Sequence, residues 1–251
     1  MDDTVLKSAT ESTESEQQVA AADKPSAKAP AGDFDSAEFA LRKKKFGYRC
    51  YLFFKRVFDV VLSASVLLLF GWFICLLLII KWLEDFANPV YVSERVGKDG
   101  KTFKFFKIRT MCKNAEEMKL ELIKKGLNEA DPPAFKMKND PRITKFGKFL
   151  RKTGLDELLQ FINVLNGTMS FIGPRSPLPE EVIFYDSYQK QRLLVKGGLL
   201  CFWQISPKRN DMKFSEWVEL DLKYIKQQSI STDLSIIFKG VFFVLFTHDG
   251  E

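Results

Sequence analysis

Twenty-one consecutive residues without a charge, Val60 to Ile80 (VVLSASVLLLFGWFICLLLII), constrain this chain more than any other feature. At about 1.5 Å per residue, such a helix is about 30 Å long, the thickness of a bilayer's hydrocarbon core. No face of it carries a polar stripe, which argues against the competing reading, the core helix of a soluble domain. Lys81 closes the stretch, and Arg42, Lys43, Lys44, Lys45, Arg49, Lys55 and Arg56 precede it. This basic cluster places the N-terminal flank in the cytoplasm. Hydropathy alone does not choose between a helix that crosses the bilayer and one that enters and returns. Gly71, Ser63 and Ser65 are the candidate break points, because the stretch holds no Pro.

Charge is unevenly spread along the chain. Of 251 residues, 38 are Lys or Arg and 32 are Asp or Glu, a net charge of +6. Residues 1–40 hold three Lys against nine acids and almost no large apolar side chain, the composition of a disordered acidic tail. The remainder is strongly basic, and a basic body meets an anion: nucleic acid, phospholipid or a phosphorylated substrate. No nucleic-acid-binding motif accompanies the charge. The one His, His248, removes catalytic triads, Cys-His dyads and His-rich zinc sites from consideration. Four Cys with no CxxC pair point to a reducing, cytoplasm-facing setting. Asp33-Phe34-Asp35 spells a DxD, but in the tail it is read as incidental.

Beyond Pro89 the pattern changes to period two. Val90–Val96 and Thr102–Ile108 flank Gly97-Lys98-Asp99-Gly100 and predict a β-hairpin. Arg95 stands where a phosphate-binding P-loop ending at Gly100-Lys101-Thr102 would need Gly, so that reading is rejected. Residues 115–126 predict a charged helix. Ile143, Phe146, Phe149 and Leu150, interleaved with Arg142, Lys145, Lys148, Arg151 and Lys152, predict a basic amphipathic helix that lies on anionic lipid or packs with a solvated basic face. Leu155–Leu165 predicts a helix with one apolar stripe and a polar stripe of Asp156, Gln160 and Asn163, stopped at Asn166-Gly167. The 13-residue apolar run Leu234–Phe246 is too short to span and predicts an interfacial or packed helix.

Asp156-Glu157 at a helix start is in itself unremarkable, since the helix dipole favours acids there. Arg151 just before it and Gly173-Pro174-Arg175 after it gather cations around the two carboxylates, which suits a metal-bound, phosphate-bearing substrate. An ordered series of motifs then carries a resemblance. It runs Lys55-Arg56-Val57-Phe58-Asp59, Arg95-Val96-Gly97, Phe106–Met111, Asp140–Thr144 with Phe146-Gly147, Leu155-Asp156-Glu157-Leu158 with Gln160 and Asn163, Met169–Arg175, Trp203-Gln204, and Asp221 with Tyr224. In this order, over more than three quarters of the chain, they make it resemble the bacterial sugar transferase family, the small monotopic phosphoglycosyl transferases.

The resemblance implies an α+β, mainly helical monotopic membrane protein. It would have one N-terminal re-entrant helix, a β-hairpin, amphipathic interfacial helices and a compact cytoplasmic catalytic body. Residues 1–40 form the tail, 41–85 the basic juxtamembrane segment and membrane helix, and 86–251 the catalytic domain. The implied reaction moves a sugar-1-phosphate from a UDP-sugar to polyprenyl (undecaprenyl) phosphate at the bacterial inner membrane. It releases UMP through a covalent aspartyl intermediate and starts glycan assembly. Asp156 is the implied nucleophile, and Glu157 shares Mg²⁺ with it. Lys107, Arg151 and Arg175 are the implied phosphate- and substrate-binding residues together with Asp221, for which Asp233 is the alternative, and Lys55, Arg56 and Gly71 are the membrane anchor. A homo-oligomer is compatible with the family. Departures from its pattern include Gly71 for the membrane-helix Pro, Leu159, Thr168, Ser176 and the Gly197–Cys201 stretch. These leave a non-catalytic membrane scaffold as the alternative.

Overall fold

The computed structural model describes residues 35–127, 137, 139–206 and 212–246. Most of the expected acidic tail, residues 1–34, lies outside them, as does His248. Among the described residues the first helix, α1 (Ser36–Lys44), begins where the Asp35 carboxylate accepts from the Ala37 N–H at 2.7 Å, an N-cap. Residues 36–40, assigned to the tail by composition, are therefore helical. The reason is Phe39, which is buried in the main apolar core.

Helix α2 (Phe46–Asp85) has 40 residues and a length of about 60 Å. It runs through Ser63, Ser65 and Gly71 as one element, so the predicted break points leave no gap in it. Asp59 and Lys81, the charges that bracket the uncharged stretch, are 3% and 0% exposed. Asp59 accepts from the Phe171 N–H at 2.9 Å, and Lys81 donates to Glu84 at 2.6 Å and to Thr144 Oγ1 at 3.2 Å. From Leu68 to Trp72 the helix is bare: Leu68 is 82% exposed and Trp72 68%. On one side of this bare segment Tyr48 and Tyr51 pack with Ile172, Val218, Leu222 and Tyr224. On the other, Ile74 and Leu77 pack with Ile108, Leu150 and Leu159. Phe86, in the left-handed conformation at φ 49°, ends the helix.

The hairpin forms as predicted. Strands β1 (Val90–Val96) and β2 (Thr102–Ile108) pair antiparallel from Val90↔Ile108 to Val96↔Thr102. A second, parallel pair joins β3 (Ser170–Ile172) to β4 (Gly198–Leu200). Here the backbones almost touch: a Cβ on Gly198 would lie 2.0 Å from the Gly173 nitrogen. The remaining helices are α3 (Ala115–Lys124), α4 (Lys145–Thr153), α5 (Gln160–Asn166), α6 (Pro179–Ile183), α7 (Phe214–Gln227) and α8 (Ile230–Phe246). In α8, Ile236 is buried while Phe238 is exposed, so one face packs on the body.

Two periodicity readings are corrected. Helix α4 starts at Lys145, capped by Thr144, whose hydroxyl accepts from Gly147 N at 3.0 Å. Ile143 sits before it in a bridge to Met111, and Arg142 is buried in an ion pair with Asp140 at 2.7 Å rather than on a basic face. The predicted helix over residues 155–165 is a 3₁₀ turn, Leu155–Glu157, followed by α5. Gly154, at φ +69°, ends α4 and forces that restart.

Helix α4 is seated on the body through Gly147. A Cβ there would fall 1.9 Å from the Thr110 carbonyl oxygen. Gly147→Ala should therefore destabilise the protein by about 2–3 kcal/mol, the cost of forcing packed elements apart. Thermal unfolding in detergent would show this as a lowered midpoint, with Gly71→Ala, which meets open space, as the neutral control.

Candidate active site

Five elements converge on one cationic site. Strand β2 supplies Lys107, the last turn of α4 supplies Arg151, and the 3₁₀ turn supplies Asp156 and Glu157. The loop after β3 supplies Arg175, and α7 supplies Asp221. Asp156 is 6% exposed, with its carboxylate 3.8 Å from Lys107 Nζ. Asn163, expected on the same polar stripe, is spent on β2 instead. It accepts from the Phe106 N–H at 3.1 Å and donates to the Lys104 carbonyl at 2.6 Å. This clamp fixes the strand that carries Lys107 to the helix that follows Asp156. The polar stripe thus faces inward, while Ile162 and Leu165 on the apolar side are partly exposed.

Arg151 donates through Nε to Thr110 Oγ1 at 3.0 Å, which aims it along the site wall. Arg175 is exposed, and its charge acts on Lys107, Glu157, Cys201, Asp221 and Arg95 alike, so it lies amid them. Burial pushes the Lys107 ammonium below the ordinary lysine value, against the pull of Asp156 and Glu157. Burial and then the Asp156 charge push the Glu157 carboxyl above the usual carboxylate range. The pair is therefore a crowded anionic centre inside a ring of cations.

Behind the site lies an element that the sequence did not reveal. Arg192 is 4% exposed and donates to Asp221 through Nε at 2.8 Å and Nη2 at 2.6 Å, and to the Tyr185 hydroxyl at 3.0 Å. Burial lifts Asp221 to about 6 despite this partner, while Arg192 is held above its ordinary value by Asp221 against the cost of burial. Among the described residues Asp221 Oδ1 has no hydrogen-bond partner. Asp221 thus lies within reach of the Arg175 charge, and Arg192 is its support. The only sequence signal for Arg192 is a charge in an otherwise aromatic and aliphatic stretch. Cys201, also missed, is buried beside them with its thiol 3.0 Å from Gln204 Oε1, and burial pushes it well above the usual thiol range.

The three anchor residues are reassigned. Lys55 pairs with Asp233 at 2.8 Å, where Tyr51 and Tyr224 also donate to the same carboxylate. Arg56 donates to the Val164 and Leu165 carbonyls at 2.6 and 2.8 Å, at the C-terminal end of α5. Both side chains hold α2 to the body and are not directed at lipid. A cation there is favoured because those helix carbonyls lack partners of their own. A Cβ on Gly71 would meet open space, and the residue introduces no break. Arg42, in the same basic run, likewise donates to the Lys226 and Gln228 carbonyls at the end of α7.

With this geometry in view, the comparisons are specific. The model of the bacterial sugar transferase family matches residues 50–247. The galactosyl transferase CpsE of Streptococcus agalactiae is 41% identical over 193 residues, 77% of this chain and 42% of that protein. The undecaprenyl-phosphate galactose phosphotransferase of Salmonella typhimurium is 38% identical over 206 residues, 77% and 40% of the two chains. The exopolysaccharide production protein ExoY of Rhizobium meliloti is 36% identical over 194 residues, 74% of this chain and 83% of that one. This chain spans about two-fifths of the length of the first two relatives. It belongs to the bacterial sugar transferase family.

Arg192→Met should leave the Asp221 charge buried and uncompensated, lowering stability by about 3–5 kcal/mol. Chemical unfolding in detergent measures this, and Asp221→Asn combined with Arg192→Met should recover part of the loss.

Proposed function

We propose that this chain is an enzyme that transfers a sugar-1-phosphate from a UDP-sugar to polyprenyl phosphate, releasing UMP. The observation that carries the reading is the buried Asp156 carboxylate beside Lys107, at 3.8 Å, inside a site walled by Arg151 and Arg175 and seated against a lipid-compatible helix. Relatives named as a UDP-galactose-lipid carrier transferase, from Erwinia amylovora, and a UDP-glucose:undecaprenyl-phosphate glucose-1-phosphate transferase, from Escherichia coli, support it.

The chemistry follows from the charges. An Asp156 oxygen attacks the sugar-bearing phosphorus, the bond from phosphorus to the oxygen bridging the two phosphates breaks, and UMP leaves with the bonding pair. An oxygen of polyprenyl phosphate then attacks the same phosphorus, and Asp156 departs as a carboxylate. Lys107, Arg151 and Arg175 stabilise charge on the phosphoryl oxygens throughout. The site needs no imidazole, in keeping with the scarcity of His.

Mg²⁺ fits the donor set. Glu157 and Asp156 crowd each other, and that crowding, together with burial, favours an added cation. Among the described residues no group of three or more His, Cys, Asp or Glu side chains converges. An ion held by Asp156 and Glu157 would therefore share substrate phosphate oxygens and water, as Mg²⁺ commonly does. Bound there, it supplies neutralisation of pyrophosphate charge.

The reading keeps α2 as a membrane element that does not cross, with the body on the cytoplasmic face of the bacterial inner membrane, although the helix itself runs unbroken through Gly71 and a return must come without a gap in it. Its support is that the flanks of the bare segment Leu68–Trp72 pack on one body, at Tyr48–Ser63 and at Ile74–Asp85. A donor made in the cytoplasm requires the same side.

Two outcomes are expected. With UDP-galactose or UDP-glucose and undecaprenyl phosphate, UMP release should fall by at least about 10³-fold in Asp156→Asn, the loss expected when a nucleophile is removed. No UMP release from wild type across a UDP-sugar panel would contradict the reading. Single cysteines placed before Lys55 and after Lys81 should both react with an impermeant thiol reagent from the cytoplasmic side, and labelling from opposite sides would refute re-entry.

A further inference from the structure

Helix α2 turns one face to the body along almost its whole length. Tyr48, Tyr51, Asp59, Ser63, Leu77 and Lys81 are all buried and recur at helical spacing on a single stripe. Their partners belong to the body from end to end. Tyr48 donates to Gln228 Oε1 at 2.6 Å, Asp59 accepts from the Phe171 N–H, and Lys81 donates to Thr144 Oγ1. Leu67 and Phe73, on either side of the bare segment, pack against the cluster around Ile74. From Tyr48 to Lys81 the helix rises about 50 Å, and the body accompanies it over that distance. Charge follows the same division. On a wheel of about 3.6 residues per turn, every Asp, Glu, Lys and Arg of α2, from Arg49 to Asp85, falls within about 70° of the centre of this stripe.

The opposite face carries no charge at all. Phe53, Val57, Val61, Leu68, Ile79 and Leu83 stand exposed along it, a strip about 45 Å long. A continuous apolar strip of this kind marks an interaction surface, and its setting selects lipid. An upright helix would take the body into the bilayer with it. Ile74 and Leu77, inside the uncharged stretch, pack on Ile108, Leu150 and Leu159. Those three are near chain neighbours of Lys107, Arg151 and Asp156, so an upright α2 would draw the site's charges towards the hydrocarbon core, where charge is expensive. Turning back within the bilayer is closed as well, because Phe46–Asp85 is helical throughout. Cations stand at both ends. Lys44 and Lys45 are exposed before α2, and Lys145 and Lys148 are exposed on α4, which meets the other end where the Phe146 N–H donates to Glu84 at 3.5 Å. Both ends therefore suit the anionic headgroups of one leaflet.

We propose that α2 lies parallel to the bilayer, its uncharged face sunk into one leaflet of anionic lipid and its charged face against the body. This rests on the reading of α2 as a membrane element that does not cross. Neither end has to return, because neither leaves the cytoplasmic side. Trp72 and Trp82 are exposed on the uncharged side, and indole rings favour the boundary between headgroups and acyl chains. The orientation also sets the height of the site. Leu159 packs on α2, which places the turn bearing Asp156 about one helix diameter, ~10 Å, above the acyl chains. A lipid-borne phosphate then reaches Asp156 with its chain still in the leaflet.

The test is a depth profile of the full chain in nanodiscs of phosphatidylethanolamine and phosphatidylglycerol. Cys50, Cys75 and Cys112 are replaced by Ser, and the buried Cys201 stays. Nitroxide labels are placed singly at Val57→Cys, Leu68→Cys and Ile79→Cys, and their depths are read by power saturation with oxygen and a water-soluble nickel chelate. Val57 and Ile79 are about 33 Å apart along the axis, so an upright helix separates them by nearly that depth. A parallel helix puts all three about 5–10 Å below the phosphates, within about 10 Å of one another. Any larger spread overturns the proposal, whether Leu68 alone lies deep, as in re-entry, or depth changes steadily, as in crossing. Labels that stay in water overturn it together with the membrane reading of α2. The unmodified chain gives an independent readout. Lipids brominated near the headgroup end of the acyl chain should quench its tryptophan fluorescence more than lipids brominated near the methyl end, and the reverse order overturns the proposal. UMP release by the same nanodiscs reports separately on the reaction: its absence beside a flat profile removes the transferase reading and leaves the parallel helix standing.

Discussion

Asp59 and Lys81 are both buried in the body that follows the long helix, and the rest of the structure depends on that. A buried charge is costly unless it is paired or hydrogen-bonded, so each must find partners where it sits. Asp59 finds the Phe171 N–H beside β3, and Lys81 finds Glu84 and the cap of α4. These contacts fasten the flanks of an apolar stretch to one surface and leave Leu68 to Trp72 uncovered. The pairs Lys55–Asp233 and Arg109–Asp85, at 2.8 and 2.5 Å, extend the grip outward on either side. The helix is therefore part of the domain and could not be exchanged for a generic anchor.

The same contacts reach the site within one or two steps. Lys81 meets Thr144, Thr144 caps α4, and α4 ends at Gly154 just before Asp156. Arg56 binds the C-terminal carbonyls of α5, the helix whose Asn163 clamps the strand bearing Lys107. A site built this way has its carboxylates and its cations located by rigid elements, and the elements are located by the membrane helix. That arrangement suits chemistry in which one substrate arrives from water and the other from lipid. Electrostatically the site is poised for an anion: Lys107 is depressed by burial, Glu157 is raised, and Arg175 stands exposed at the centre of five charged or buried groups.

Much of this was legible in the sequence, and the exceptions have physical causes. The hairpin was plain because alternation and a Gly-bounded turn act locally, and the pairing Val90↔Ile108 follows from them. Asp156, Glu157, Lys107, Arg151 and Arg175 were named together because the resemblance carried them, and the fold brings them within electrostatic reach of one another. Leu155–Leu165 read as one helix because a 3₁₀ turn followed by an α-helix presents the same leucines to the core. Only the left-handed Gly154 separates the two, and a glycine in sequence does not announce its φ. Lys55 and Arg56 read as membrane anchors because composition does not show which carboxylate or unsatisfied carbonyl lies within reach of a long side chain. Arg192 was invisible because its partner Asp221 is 29 residues away.

The central claim is that Asp156 becomes covalently bonded to the transferred phosphate. The direct measurement is intact and peptide mass spectrometry on protein quenched after exposure to the UDP-sugar that gives UMP release, without polyprenyl phosphate. The account predicts a mass gain of one sugar phosphate on the peptide containing Asp156, its loss on addition of polyprenyl phosphate, and its absence in Asp156→Asn. Turnover with no adduct on that peptide, or an adduct that persists in Asp156→Asn, would contradict it.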